Sequence, residues 1–335
     1  MGPGFHFRDP LTVTDLSLSP KTPARPSALA TLKARLAAPP AAPKRVQFDR
    51  PLMPWLLLAP QLAIVAVFFY WPSAQAITSS FYLEDPFGLG SSFVGMANYT
   101  DALSSAEYRK IAAFTVFFAV VVAALSLAIG MVLAVKADKV IRGRSAYRTA
   151  LIAVYAIAPP VAGLMGMMLF DQHIGPLVRF AALFGWDMKV GLDYWDTAFA
   201  MIVVAVWLHI PYNFIFILSG LQAIPAAVRE AAVIDCASPL RRFLTVVLPL
   251  LTPTVFFLTI INLTYALFDT FALIDVMVKD KPANNPMTLV YKVYLDGFRG
   301  NDFGGSSAQS VILMVVVLVL TLFQFRYIER RVHYG

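Results

Sequence analysis

The amino-acid sequence predicts an all-α membrane protein with six transmembrane helices. Of its 335 residues, 59% are hydrophobic and only 14% are charged, whereas about a quarter of the residues in a soluble domain are charged. Six long uncharged stretches separate the charged segments. Lys and Arg are concentrated in alternate segments, which is the distribution that orients a multi-pass membrane protein.

The N-terminal segment, 1–47, differs from the rest of the chain. It is rich in Pro, Ala and Ser, with eight prolines between positions 3 and 43. Because proline interrupts helices and the segment has few large apolar residues, we expect a flexible cytoplasmic tail. Residues 48–335 then form a single membrane domain.

Each uncharged stretch is long enough to cross a bilayer, because a transmembrane helix needs about 20 mainly apolar residues. The predicted spans are 54–77, 111–135, 150–170, 197–219, 250–273 and 308–328. The segments on the N-terminal side of the membrane hold 19 of the 27 Lys and Arg residues, and the opposite side holds 8. Basic residues are retained in the cytoplasm, so both termini are expected there. The net charge of +7 thus indicates topology, and the lipid bilayer, not nucleic acid, is the expected partner.

The sequence offers no catalytic or metal-binding constellation. Its single cysteine, Cys236, cannot form an internal disulfide, and its four histidines are scattered without the spacing of metal ligands. A Gly-x-x-x-x-Gly-Lys-Ser/Thr pattern, which cradles nucleotide phosphates, does not occur. We therefore expect this chain to bind no metal and no cofactor.

The connection between spans 4 and 5, about 220–249, predicts a short helix outside the bilayer. Pro225 can begin this helix, and Ser238-Pro239 can end it. Between them, Glu230-Ala231-Ala232 favours helix and presents small side chains. Such a helix can enter a groove on a partner protein.

Glu230-Ala231-Ala232, followed by Asp235-Cys236-Ala237 and then Leu248-Pro249, resembles the EAA loop of binding-protein-dependent ABC importer permeases. The resemblance implies the type I ABC importer permease fold, in a bacterial inner membrane, with a coupling helix in this loop. It also implies a second permease of similar fold, two ATPase subunits that use ATP and Mg, and a periplasmic solute-binding protein. Cys236 stands where the family usually has glycine, which could tighten the turn after the helix.

Further segments, 262–271, 289–298, 306–310 and 324–334, are similar to the A-type permeases of sn-glycerol-3-phosphate uptake systems. This resemblance covers about residues 48–335. It implies that the chain forms half of a pathway for glycerol 3-phosphate, with glycerophosphodiesters as further candidate solutes. A sugar or oligosaccharide permease of the same family is an alternative, since such permeases share the loop and differ in the pore. A membrane-embedded enzyme is a remote alternative, because no nucleophile, base or metal group converges in the sequence.

Polar side chains within the spans are the candidate solute contacts, because such groups usually face the interior of a helix bundle. The predicted pathway residues are His209, Tyr212, Asn213 and Phe216 on one face of span 4, and Tyr265 and Asp269 on span 5. Hydrogen bonding between helices is the alternative role, and it is the role we expect for Asn262. Asp269 would repel a phosphate, so we expect it near the outer end of its span, either paired with a cation or shaping a gate.

Overall fold

A computed structural model describes residues 52–84, 90–139, 144–235, 238–278 and 285–328. The predicted tail lies outside these residues. The chain divides into two compact units, Met1–Ala63 and Ile64–Gly335. The described residues of the first unit, 52–63, are helical.

Within these described ranges, five helices are long and apolar enough to cross a membrane, and a bent pair of helices makes a sixth candidate. We call the five spans 1, 2, 4, 5 and 6; they run over Leu52–Ser79, Ala106–Lys139, Tyr194–Ala223, Pro239–Asp269 and Phe303–Phe323. The last belongs to a helix that continues to Ile328. With the bent pair as span 3, this arrangement confirms the predicted all-α fold.

Span 3 is bent where a single helix over 150–170 was predicted. Its first half, Arg148–Ala156, and its second half, Pro159–Leu169, are inclined by 103°. The chain becomes extended at Ala158, because a residue before proline avoids the helical conformation and proline cannot donate the backbone hydrogen bond of a continuing helix. The adjacent prolines therefore break the span.

Spans 2, 4 and 5 extend beyond their predicted limits. Span 2 includes Lys136 and Lys139, whose long side chains can reach water from a helix end. Span 5 begins at Pro239, eleven residues before the predicted start at 250. It consists of two α-helical and two π-helical parts in alternation: Pro239–Arg242, Phe243–Val247, Leu248–Thr264 and Tyr265–Asp269.

The connections contain short elements. Strands β1 (Tyr82–Glu84) and β2 (Ser91–Phe93) pair antiparallel after span 1. Short helices run over Ala97–Ser104, Pro176–Ala182, Ala226–Asp235, Phe271–Val278 and Leu289–Tyr294, while the helix Arg144–Ala153 leads into and forms most of the first half of span 3. A π-helical turn covers Leu295–Arg299 before span 6. Within the spans, a π-helical turn covers Ala66–Tyr70 of span 1, and a 3-10 turn, Val154–Ala156, ends the first half of span 3.

Span 2 packs along span 4, and span 5 packs against both. The close approach of spans 2 and 4 requires a glycine, because a Cβ atom at Gly130 would lie 2.6 Å from the Cβ atom of Asn213. The second half of span 3 packs against the Phe271–Val278 helix, and both also contact span 4. These contacts bring the polar residues of spans 4 and 5 into the centre of the bundle.

Candidate functional site

The predicted helix between spans 4 and 5 is present over Ala226–Asp235, and we call it the coupling helix. It begins directly after Pro225, whose carbonyl oxygen accepts hydrogen bonds from the backbone N–H groups of Val228 and Arg229 at 3.1 and 3.3 Å. Proline thus occupies the position before the first turn, where a missing N–H group costs nothing.

The coupling helix presents most of its side chains to the outside. Glu230, Ala231 and Asp235 are exposed, and Ile234 is 85% exposed. Ala232 is buried and forms the inner contact of the helix. The predicted coupling residues Cys236 and Ala237 lie outside the described residues.

An ion pair holds the coupling helix near the end of span 2. The Nη1 atom of Arg229 lies 3.4 Å from Oδ2 of Asp138. The Asp138 side chain is only 22% exposed, so the carboxylate is partly shielded from water. The sequence did not identify this pair, because the two residues are 91 positions apart.

Aromatic rings of spans 4 and 5 form a continuous row. The His209 ring stacks on Tyr265 with centroids 3.9 Å apart and on Tyr212 at 5.3 Å. The row continues from Tyr212 to Phe216 at 4.7 Å and from Phe216 to Phe257 at 5.6 Å. We call these five residues the aromatic row. Four of them are predicted pathway residues, and Phe257 is the one that the sequence did not single out.

His209 is the polar centre of the aromatic row. Only 7% of the residue is exposed, and its Nε2 atom has no hydrogen-bond partner within the described part of the chain. The Tyr265 hydroxyl, by contrast, donates to the carbonyl oxygen of Ala205 at 3.3 Å. A buried ring nitrogen without a partner is costly, and an N–H group at this position could donate to a hydrogen-bond acceptor.

Asn213 points away from the aromatic row and into a network of amides. Its Nδ2 group donates to Oδ1 of Asn262 at 2.9 Å, and Nδ2 of Asn262 donates back to Oδ1 of Asn213 at 2.7 Å. The Ser126 hydroxyl donates to the same Asn262 oxygen at 2.8 Å. All three side chains are fully buried, so the network joins spans 2, 4 and 5.

Asn213 thus forms hydrogen bonds between helices, a role that the sequence analysis predicted for Asn262 but not for Asn213. The i, i+4 spacing places His209 and Asn213 on neighbouring parts of span 4, yet only the former lies in the aromatic row. Ser126 was missed because no pattern in the sequence connects it to a residue 136 positions later.

Asp269 is the last residue of span 5 and lies in the π-helical turn that begins at Tyr265. Its side chain is exposed, and within the described ranges it forms no salt bridge. The expected place at the end of the span is therefore observed, without a paired cation in the described structure.

A charged cluster joins the ends of spans 2 and 6 that lie far from the coupling helix. The Lys292 ammonium lies 2.9 Å from Oδ1 of Asp296 and 3.7 Å from a Glu107 carboxylate oxygen. Gln309 donates to the other Asp296 oxygen at 2.7 Å. Because the Lys292 side chain is only 17% exposed, this cluster fixes the connection before span 6.

The connection after span 3 lies on the same side of the bundle as the Lys292 cluster and carries the carboxyl group of Asp171. The backbone N–H groups of Ile174 and His173 donate to Oδ1 of Asp171 at 3.0 and 2.8 Å, and these bonds hold the pKa of the Asp171 carboxyl below its usual value. The carboxyl lines an open cavity of about 300 Å³ together with polar groups of Gln172 and Asn285.

Comparison with known families identifies relatives over most of the chain. A family described as the binding-protein-dependent transport system inner membrane component matches residues 126–334. The sn-glycerol-3-phosphate transport system permease protein UgpA of Rhizobium meliloti is 47% identical over 292 residues, which cover 87% of this chain and 100% of that protein. The proteins of the same description from Brucella abortus and Yersinia pseudotuberculosis are 48% and 43% identical. They also cover 87% of this chain, and the alignments span 100% and 99% of their own lengths.

Solved structures show the same fold. A bacterial ABC transporter involved in the import of the acidic polysaccharide alginate matches with a TM-score of 0.71 at 20% identity, covering 82% of this chain and 96% of that one. The alginate transporter in complex with its pentasaccharide-bound periplasmic protein matches with a TM-score of 0.73 at 18% identity, covering 84% and 95%.

Proposed function

The chain belongs to the family of binding-protein-dependent transport system inner membrane components, and on that premise we propose that it is a permease subunit of an ABC importer for sn-glycerol 3-phosphate. The observation that carries the solute is the identity of 47% to a glycerol-3-phosphate permease along that relative's entire length. An identity of this level extends through the spans that would line the pathway, whereas the EAA loop alone would fit any solute.

The proposed location is a bacterial inner membrane with both termini in the cytoplasm. The apolar spans and the family support a multi-pass inner-membrane protein. The orientation is supported by the basic residues, of which 19 of 27 belong to the N-terminal side. In this orientation the coupling helix is cytoplasmic, and the Asp171 and Lys292 clusters are periplasmic.

The energy for import would come from two partner ATPase subunits that bind ATP and Mg. The exposed Glu230, Ala231 and Asp235 of the coupling helix would form the docking surface, with the apolar Ile234 side chain entering a groove of the partner. A helix with a charged edge and an exposed apolar side chain suits such a groove. This chain would itself catalyse no reaction and bind no nucleotide.

The solute path would follow the aromatic row, with a second permease of similar fold closing the other side. A phosphate that leaves water needs hydrogen-bond donors in the membrane. His209 Nε2 and the Tyr212 hydroxyl would supply them, while the rings of Phe216 and Tyr265 would contact the glycerol part. Asp269 would lie at the periplasmic end of the row. Its negative charge would repel the anionic solute there and so disfavour binding of the solute at that end.

Uptake by the reconstituted importer tests the solute. The complete complex, with binding protein and ATPase subunits, would be incorporated into liposomes with internal ATP. We expect ATP-dependent accumulation of radiolabelled sn-glycerol 3-phosphate and none of radiolabelled maltose. Accumulation of maltose alone would support the sugar permease instead.

A further inference from the structure

The coupling helix covers a cavity of about 210 Å³ between the ends of spans 2 and 5. On the coupling-helix side the cavity is lined by Arg229, Ala232 and Val233. It is larger than the roughly 150 Å³ cavity that holds a benzene molecule in a protein core. The space is therefore sufficient for part of an apolar ligand.

The walls of this cavity change from charged to apolar along both spans. Span 2 contributes Lys139 at its last residue and Val135 one turn deeper. Span 5 contributes Arg242 in its first turn and then Val246 and Val247 deeper in the helix. Each wall thus has a cation near the helix end and apolar side chains toward the membrane. A phospholipid has the same order, with a charged headgroup followed by acyl chains.

The charge at the mouth of the cavity is predominantly positive. Asp138 also lines it but is paired with Arg229 at 3.4 Å. Lys139 and Arg242 form no salt bridge within the described ranges. In this part of the chain, as far as the structure describes it, two cations without carboxylate partners flank an apolar space. A neutral apolar ligand would leave both of them without a counter-charge.

We propose that this cavity binds one anionic phospholipid of the cytoplasmic leaflet. Its phosphate lies between Lys139 and Arg242, and the first part of one acyl chain contacts Val135, Val246 and Val247. Basic pockets between transmembrane helices on the cytoplasmic side attract anionic headgroups in this way. The proposal rests on the orientation proposed above, because only that orientation brings the cavity to the anionic inner leaflet.

A bound lipid would support the coupling helix from the membrane side. Val233 and Ala232 line the same cavity, so the occupied cavity gives the helix a second contact beside the Arg229–Asp138 pair. The structure therefore assigns the lipid a positioning role, in which the coupled ATPase activity of the complex depends on anionic lipid.

Lipid binding to the intact complex tests the proposal directly. Native mass spectrometry of the complete importer, with phosphatidylglycerol and phosphatidylcholine as competing probes, should show one phosphatidylglycerol retained in preference. Lys139→Gln and Arg242→Gln should each weaken that binding about fivefold, since one basic group near an anionic surface contributes about that factor. Val246→Trp, which fills the apolar part, should also reduce it.

Arg241→Gln is the matched control, because it removes the same charge from the neighbouring position, which does not line the cavity. It should retain phosphatidylglycerol normally. Equal losses in the Arg241 and Arg242 variants would show diffuse surface attraction and overturn the proposal, as would unchanged binding in both cavity variants. Displacement of the lipid by millimolar inorganic phosphate would identify a free-anion site and also overturn it.

A functional measurement in nanodiscs gives the second readout. Binding-protein-stimulated ATP hydrolysis should fall severalfold when phosphatidylcholine replaces phosphatidylglycerol, and the Lys139 and Arg242 variants should lose this dependence. An unchanged rate in the neutral lipid would argue against the positioning role. If the importer failed to take up glycerol 3-phosphate, the lipid-binding result would still stand, so failure of the two proposals can be distinguished.

Discussion

Glu230 is an exposed acid on a short cytoplasmic helix in the proposed orientation, so its proposed contact is with another protein. Glu230→Lys should leave membrane insertion intact and weaken association with the ATPase subunit. Reversing one charge of an interface pair commonly costs a few kcal/mol, which corresponds to on the order of a hundredfold in affinity. Co-purification and solute-stimulated ATP hydrolysis measure the effect.

The control for this substitution is Ala227→Lys, which adds a lysine at another exposed position of the same helix. It should retain most of the ATPase association. Normal association and normal stimulated hydrolysis in the Glu230 variant would exclude the docking role.

A second prediction at the scale of single residues concerns the buried Nε2 atom of His209. His209→Ala should reduce uptake at limiting solute, because a polar contact to the phosphate is lost. A loss of about 1 to 3 kcal/mol corresponds to roughly five- to 150-fold slower uptake. Assembly and basal ATP hydrolysis should remain, since the residue lies far from the coupling helix. Ser219→Ala, at an exposed position of the same span, should transport normally; equal uptake in both variants would remove His209 from the path.

Asn213 should behave differently from His209, although it is only four residues away. Asn213→Ala leaves the buried Asn262 amide without its reciprocal partner. We expect a loss of about 1 to 2 kcal/mol in the stability of the membrane domain, within the range for hydrogen bonds between transmembrane helices. Thermal unfolding in detergent measures it, with the exposed Thr264→Ala as a control. A stable Asn213 variant with slow uptake would instead place its amide in the solute path.

The elements could be located from the sequence more securely than their ends. Uncharged stretches identified the spans because the bilayer demands apolar length, but the helices continue past these stretches to charged residues such as Lys139. The bend in span 3 was encoded by Pro159 and Pro160, and length alone did not reveal it. Span 5 begins at Pro239, before the uncharged stretch. Its first helical turn contains the basic residues Arg241 and Arg242, where the sequence suggested a loop.

The site could be predicted only in part for a related reason. The stacking of His209 and Tyr212 follows from helical spacing within one span. The contacts of His209 with Tyr265 and of Ser126 with Asn262 depend on the relative rotation of different helices. That rotation is set by packing at small residues such as Gly130, whose role one sequence does not reveal.

We expect the Arg229–Asp138 pair to help position the coupling helix. Arg229→Asp or Asp138→Arg would place like charges about 3 to 4 Å apart, and we expect severalfold lower uptake per ATP hydrolysed. The folded chain should lose less than about 1 kcal/mol, because the pair is partly solvated. The double variant restores opposite charges and should recover most of the coupling. The same reversal at the exposed Asp187–Lys189 pair should have no effect, and failure of the double variant to recover coupling would contradict the assignment.

At the scale of the whole molecule, the proposed orientation places the coupling helix and the β1–β2 hairpin on opposite sides of the membrane. Basic residues are retained in the cytoplasm during insertion, and the 19-to-8 distribution assigns the coupling-helix side to the cytoplasm.

Labelling with an impermeant thiol reagent can measure this orientation, since the single native Cys236 is removed by Cys236→Ala. In that background, Ser91→Cys and Asp187→Cys should react in intact spheroplasts, because both positions are exposed in connections assigned to the periplasm. Ser145→Cys, exposed in the connection before span 3, should react only after the membrane is permeabilised. Reaction of the Ser145 variant alone in intact spheroplasts would invert the topology, and the coupling helix would then be on the wrong side to meet an ATPase.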